Sequence, residues 1–324
     1  MSQHVPGTTA RPGAGGTARA AGTDDAAHGG RPPARGAEGL AAPVPVAARK
    51  ETVPAGAPEA ASAPARWAAE FAGTALLVFA GLGTGMFATE VIDSALGFGL
   101  GLVAAIVAFG HVSGGHFNPA VTLAAVVAGR TPASVAIGYV VAQVLGALAA
   151  AGLLWAVLVT LLDSSTTAQV LGAVSNGFGE NSTSQAGWTT VLLVEFVATA
   201  LFALVVLGST APRANAVLAP VAIGAALVFL LTITAPFDGG SLNPARSTGA
   251  AVVAGAGHLG QLWLFWLAPL LGGLVAGLVH RAAALAGPRR RAGEPAAADS
   301  DPVIDSAPAS DGAPAGSSAP ARER

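Results

Sequence analysis

The sequence predicts an all-α membrane protein: six transmembrane helices plus two re-entrant half-helices, arranged as an inverted repeat. Composition points to the membrane. Hydrophobic residues make up 52% of the chain and charged residues only 10%, with a mean hydropathy of +0.61, whereas soluble domains carry roughly 25% charged residues. Spacing sets the number of crossings, because six apolar segments reach the length of about 20 residues that a bilayer requires. Repetition sets the arrangement. An offset of 125 residues carries Glu70-Phe71 onto Glu195-Phe196, Thr74 onto Thr199, Leu82-Gly83 onto Leu207-Gly208 and Gly99 onto Gly224. The same offset carries Gly114-Gly115 onto Gly239-Gly240 and Asn118-Pro119-Ala120 onto Asn243-Pro244-Ala245, without a gap.

In chain order, residues 1–65 are rich in Ala, Pro, Gly and Arg and lack the apolar core of a signal peptide. They are expected to form a disordered cytoplasmic tail. The membrane domain is expected over 66–283, with repeats at about 66–161 and 188–283. Its spans fall near 67–88, 95–113, 133–161, 188–210, 215–235 and 259–282. Two further apolar pieces, 118–129 and 243–254, are only about a dozen residues long, which suits re-entrant segments rather than crossings. Residues 284–324 pass through Arg289-Arg290-Arg291 into an Ala/Pro/Ser/Asp tract and read as a second disordered cytoplasmic tail. Three spans per repeat make the second copy enter from the opposite face, an arrangement that places a solute path at the repeat interface near the midplane.

Charge placement gives the orientation. Arg66, Arg130, Arg213 and Arg281 fall on one side with both tails, while the opposite loops near 89–94 and 162–187 hold Glu90, Asp93, Asp163 and Glu180 but no Lys or Arg. By the positive-inside rule this is a multi-pass protein of the cell membrane with both termini cytoplasmic. Arg246, directly after the second Asn-Pro-Ala, breaks the pattern.

Several functions are disfavoured. The chain has no cysteine, so disulfide, thiol and cysteine-metal chemistry are excluded, and its 6 histidines lack metal-ligand spacing. A net charge of −2 without a basic face argues against nucleic acid as a partner. Gly81-x-Gly83-x-Gly85 lacks the strand and acidic partner of a dinucleotide loop. With no nucleophile–base pair visible, neither an enzyme nor a cofactor is expected.

The Asn-Pro-Ala elements carry the functional argument. Asn is a strong helix N-cap and Pro suits the first helical position, so each element starts a helix. The preceding Gly-Gly lets the backbone bend sharply into it. Inverted repeats bring two such helices together N-terminus to N-terminus. Backbone that is irregular at this depth must be buried or line an aqueous path. Its carbonyls then offer acceptors, Asn118 and Asn243 offer donors, and two positive dipole ends oppose cations and protons. Taken singly, either element reads more readily as an ordinary Asn-Pro turn; two in register within an inverted repeat do not.

With Ser113–Thr122 ("SGGHFNPAVT"), Ser241–Ser247 ("SLNPARS"), the Glu-Phe pairs of spans one and four and Phe265–Pro269 ("FWLAP"), residues 66–283 resemble the aquaporin, or major intrinsic protein, family. The resemblance implies an hourglass pore in each subunit, usually within a homotetramer, passing water and small neutral solutes. It implies pore motifs at Asn118, Pro119, Ala120, Asn243, Pro244 and Ala245, and a selectivity filter at Phe98, Leu231, Gly240 and Arg246. It also implies loop bracing by Glu70 and Glu195. His116 is expected to brace the first loop in its neutral form. Water-selective members usually carry His at the position of Leu231 and a bulkier or polar residue at that of Gly240, so a wider, more apolar filter admitting glycerol is expected. Against this, Ser247, Ala251 and the Phe265-Trp266 pair match the water-type frame.

Asp238 is expected in an exposed loop, too far out to pair with Arg246. His111 suits either the inner mouth or an ordinary interface, and Gln143 and Pro269 read as packing features. The competing function is an ion-coupled secondary transporter, since broken helices and inverted repeats serve that class too. Such proteins usually place acids or bases at the midplane. Here asparagines occupy it.

Overall fold

The computed structural model describes residues 61–286; the expected tails at 1–60 and 287–324 lie outside the described residues. Nine α-helices and one short 3-10 turn make up the described residues. In order they are α1 (Ala63–Gly85), α2 (Val91–Ser113), α3 (Pro119–Val127), α4 (Ala133–Leu158), α5 (Ser164–Ala173), the turn Gly179–Asn181, α6 (Trp188–Ser209), α7 (Ala219–Asp238), α8 (Pro244–Ala254) and α9 (Ala256–Ala286). Six of these, α1, α2, α4, α6, α7 and α9, are long and apolar enough to cross a membrane. The chain is a multi-pass membrane protein.

Helix ends follow local chemistry. Ser62 caps α1 through the Ala65 amide, and Asp93 reaches back to the Glu90 amide to close the start of α2. Gly114 and Gly239 end α2 and α7 in the left-handed conformation. Helical structure reaches 63–65 and 284–286, which composition assigns to the tails. A helix already held by a buried stripe extends at its ends at little cost, because each added residue gains a backbone hydrogen bond.

The loop 162–187 holds an unexpected helix. Asp163 caps α5 by accepting from the Ser165 and Thr166 amides at 2.9 and 3.0 Å, and from both hydroxyls. Asp followed by Ser-Ser-Thr is an N-cap signature, but the Ser/Thr content hides it among loop residues.

The two repeats interlock. α1, α2 and α4 pack together, as do α6, α7 and α9, but each half-helix also packs across the repeat boundary, α3 on α9 and α8 on α4. Small residues permit the approach. A Cβ added to Gly273 would overlap the Ala120 carbonyl, and one on Gly249 would stand 2.7 Å from the Ala147 carbonyl. The buried core, including Leu77, Val78, Leu82, Leu102, Phe202 and Leu227, lies inside this bundle. Leu100, Val107, Ile137 and Leu193 point outward, as suits a lipid-facing surface.

Candidate functional site

Both half-helices are reached through the same strained backbone. Gly114 and Gly115 take positive φ, as do Gly239 and Gly240, and so do Phe117 (49°) and Leu242 (56°), which carry side chains in a region unfavourable to them. Two buried glutamates hold these turns. Glu70 accepts from the His116 and Phe117 amides at 3.0 and 2.7 Å, from the Ser113 hydroxyl at 2.6 Å and from Gln143 Nε2 at 2.8 Å. Glu195 accepts from the Ser241 and Leu242 amides at 3.0 and 2.9 Å. A buried donor left without its acceptor costs about 1–3 kcal/mol, so each carboxylate secures several such groups at once.

Asn118 and Asn243 then tie the repeats together. The side-chain oxygen of Asn118 caps α3 through the Ala120 amide, and that of Asn243 caps α8 through the Ala245 amide. Each side-chain amide donates one hydrogen across the boundary, Asn118 Nδ2 to Leu242 O at 2.8 Å and Asn243 Nδ2 to Phe117 O at 2.9 Å. An amide nitrogen has two hydrogens, so one remains on each for a solute. Pro119 and Pro244 occupy the first helical positions, and Ala120 and Ala245 are fully buried where the two ends meet.

A narrow internal cavity runs past this junction, with about 20 Å³ of space for the centres of water-sized spheres. A water needs about 10–15 Å³ on that measure, so the bore fits single waters. The lining pairs under the repeat offset: Leu77 with Phe202, Leu102 with Leu227, His116 with Ser241 and Asn118 with Asn243. Three lining residues break the pairing, namely Phe98, Leu231 and Arg246. Their counterparts line other hollows, Val121 one beside Arg66 and Arg130, and Ile106 and Ile223 one beside His111. The asymmetry of the path is therefore concentrated in three of the four residues expected at the filter.

The fourth, Gly240, sits behind Leu231 rather than on the cavity. A Cβ there would stand 3.0 Å from Leu231 Cδ2, so the leucine fills the space the glycine leaves. The Arg246 guanidinium lies 4.8 Å from the centre of the Phe98 ring and is 3% exposed. Its Nη1 donates to Asn176 Oδ1 at 2.5 Å, and Nη2 reaches the Gly239 carbonyl at 3.4 Å.

Asn176 is the residue that sequence reasoning missed. Its Oδ1 also accepts from Ser247 Oγ at 2.8 Å, and its Nδ2 donates to the Asp238 carbonyl at 3.2 Å. Nothing in a polar loop of Ser, Asn and Gly marks this asparagine.

Two further expectations need correction. Asp238 is fully buried at the end of α7, accepting from the Gly240 amide at 2.7 Å, because the segment 174–187 folds over it instead of leaving it in solvent. Gln143 is a hydrogen-bonding hub, donating to Glu70 and at 2.9 Å to Thr122 Oγ1. Pro269 lies inside α9, buried in the core.

His116 joins its amide to Glu70 while its Nδ1 stands 3.1 Å from Thr122 Oγ1, and it borders both the narrow cavity and a wider hollow of about 290 Å³ beyond it. His111 lines a separate hollow between α2 and α7, together with Ile106 and Ile223. Ser247 points at Asn176 and Ser241, behind the cavity. Phe265 is buried, and Trp266 donates to Thr248 at 2.9 Å.

The family described as "Major intrinsic protein" matches residues 60–280. Aquaporin Z of Rhodopseudomonas palustris is 43% identical over 225 residues, covering 67% of this chain and 92% of the relative. Aquaporin Z of Brucella melitensis is 43% identical over 220 residues, covering 66% and 95%. The X-ray structure of the aquaglyceroporin from Plasmodium falciparum superposes with a TM-score of 0.59 at 21% identity, covering 68% of this chain and 95% of that one, a likeness of fold.

Proposed function

The chain belongs to the major intrinsic protein family, and on that premise we propose that it is a passive channel for water across the lipid bilayer. The observation that carries the reading is the narrow cavity lined by both asparagines. A water passing there gives up bulk hydrogen bonds and receives an N–H from Asn118 and from Asn243. Both amides donate, so the water turns its oxygen to them and its hydrogens along the path in opposite directions. A proton relay needs each water to accept from one neighbour and donate to the next, and that order is reversed at this point. The N-terminal ends of α3 and α8 add positive potential against cations.

The finer assignments belong to the same proposal. Phe98, Leu231 and Arg246 form the filter, with Gly240 shaping its loop, and Glu70, Glu195 and His116 brace the turns. Leu231 offers no hydrogen bond, which supports passage of small neutral solutes such as glycerol or urea beside water. Four copies assemble with a pore in each, both termini face the cytoplasm, and no chemical step takes place.

Stopped-flow shrinkage of proteoliposomes tests the proposal. Osmotic water flux should be fast, with a low activation energy and no proton leak. Uptake that follows a proton or sodium gradient would establish the coupled transporter instead.

A further inference from the structure

The two repeats place matching backbone donors on their glutamates but different side chains beside them. In the first repeat the Ser113 hydroxyl accepts from the Gly115 amide at 3.1 Å and donates to Glu70 at 2.6 Å. The offset of 125 carries Ser113 onto Asp238. There the geometry is half reproduced: Asp238 Oδ1 accepts from the Gly240 amide at 2.7 Å. Its other oxygen, Oδ2, is buried with no hydrogen-bond partner among the described residues, and the next amide, Ser241, donates to Glu195, as the His116 amide donates to Glu70 beside Ser113. Glu195 also lacks a counterpart of Gln143, since α9 offers only Ala268 and Pro269 at that level.

An ionised carboxylate is an acceptor only, so Asp238 and Glu195, both fully buried, would meet as two like charges with no hydrogen between them. Two carboxyls sharing a site do not both ionise. We infer that Asp238 carries a proton and donates it to Glu195, so that the second re-entrant turn is held by a buried carboxylic acid–carboxylate pair where the first uses a serine hydroxyl. The other groups beside the pair are the Arg246 guanidinium from α8, which reaches the Gly239 carbonyl, and the neutral Asn176 amide on the Asp238 carbonyl. One remaining negative charge balances Arg246. Asp238 thereby acts as a positioning residue for Gly239–Ser241 and, through the Gly239 carbonyl, for Arg246.

The shared proton stands on the hydrogen-bond pattern, while its effect on permeation rests on the filter reading, and two readouts keep them apart. Infrared difference spectra at neutral pH between the unmodified protein and Asp238→Ser should show a protonated-carboxyl carbonyl band, shifted by deuterium exchange and absent in both Asp238→Ser and Asp238→Asn. Asp238→Ala should lose most of its water permeability, and Ser or Asn at this position, each supplying a donor to Glu195, should restore it. Alkaline titration of the unmodified protein should abolish the band, which serves if a variant fails to assemble. A missing band, or one that persists unchanged in both variants, overturns the shared proton. A band that behaves as expected in a protein without water flux would leave the pair standing and sink the channel reading.

Discussion

Arg246 is held from outside the pore by a residue no motif announces. Losing a hydrogen bond to a charged group costs about 1.5–3 kcal/mol, so Asn176→Ala should free the guanidinium to swing into the narrow cavity. Lower water permeability with a higher activation energy is expected in stopped flow, at unchanged protein abundance; flux like that of the unmodified protein would deny Asn176 this role. Leu231 invites the opposite experiment. Histidine there adds a donor and narrows the wall opposite Phe98, so Leu231→His should cut glycerol and urea flux more than water flux. If the unmodified protein already passes neither solute, the looser-filter proposal fails. The asparagines, glutamates and arginine of the site were legible in sequence because a repeat offset and a misplaced charge single them out. Asn176, Gln143 and Asp238 were not, since their partners lie 70, 73 and 62 residues away in the chain.

At the scale of elements, close helix contact depends on missing side chains. A Cβ on Gly146 would overlap the Phe71 carbonyl of α1, so Gly146→Leu forces α1 and α4 apart. Overpacking of this kind costs about 1–3 kcal/mol, and a lower thermal midpoint in detergent is expected. The α5 cap should respond to acid. Hydrogen bonds from Thr166 and Ser165 hold the Asp163 carboxyl well below the usual carboxylate range. A depressed value means the cap contributes fully above the ordinary carboxylate pKa and is lost only as pH falls through the lowered one. Amide exchange in α5 should therefore stay slow through mild acid and be faster in Asp163→Ala at neutral and mildly acid pH; equal exchange in the two proteins there would count against the cap.

For the whole molecule, the described residues hold the six spans and both half-helices. Removing 1–62 and 290–324 should leave assembly and water flux intact, measured by gel filtration and stopped flow; loss of either would give the tails a role. Native mass spectrometry should find four copies. What the sequence determined by itself was whatever depends on composition, length and repetition: the membrane, six crossings, two short helices capped by Asn-Pro and an inverted pair of repeats. These are local or periodic properties, and each is written within about 30 residues or at one constant offset. Only the tertiary structure decided the width of the path, the seating of Leu231 over Gly240, the clamp on Arg246 and the burial of Asp238. Those depend on side chains brought together by packing between helices distant in sequence, where shifts of an ångström decide contact, and no local pattern encodes them.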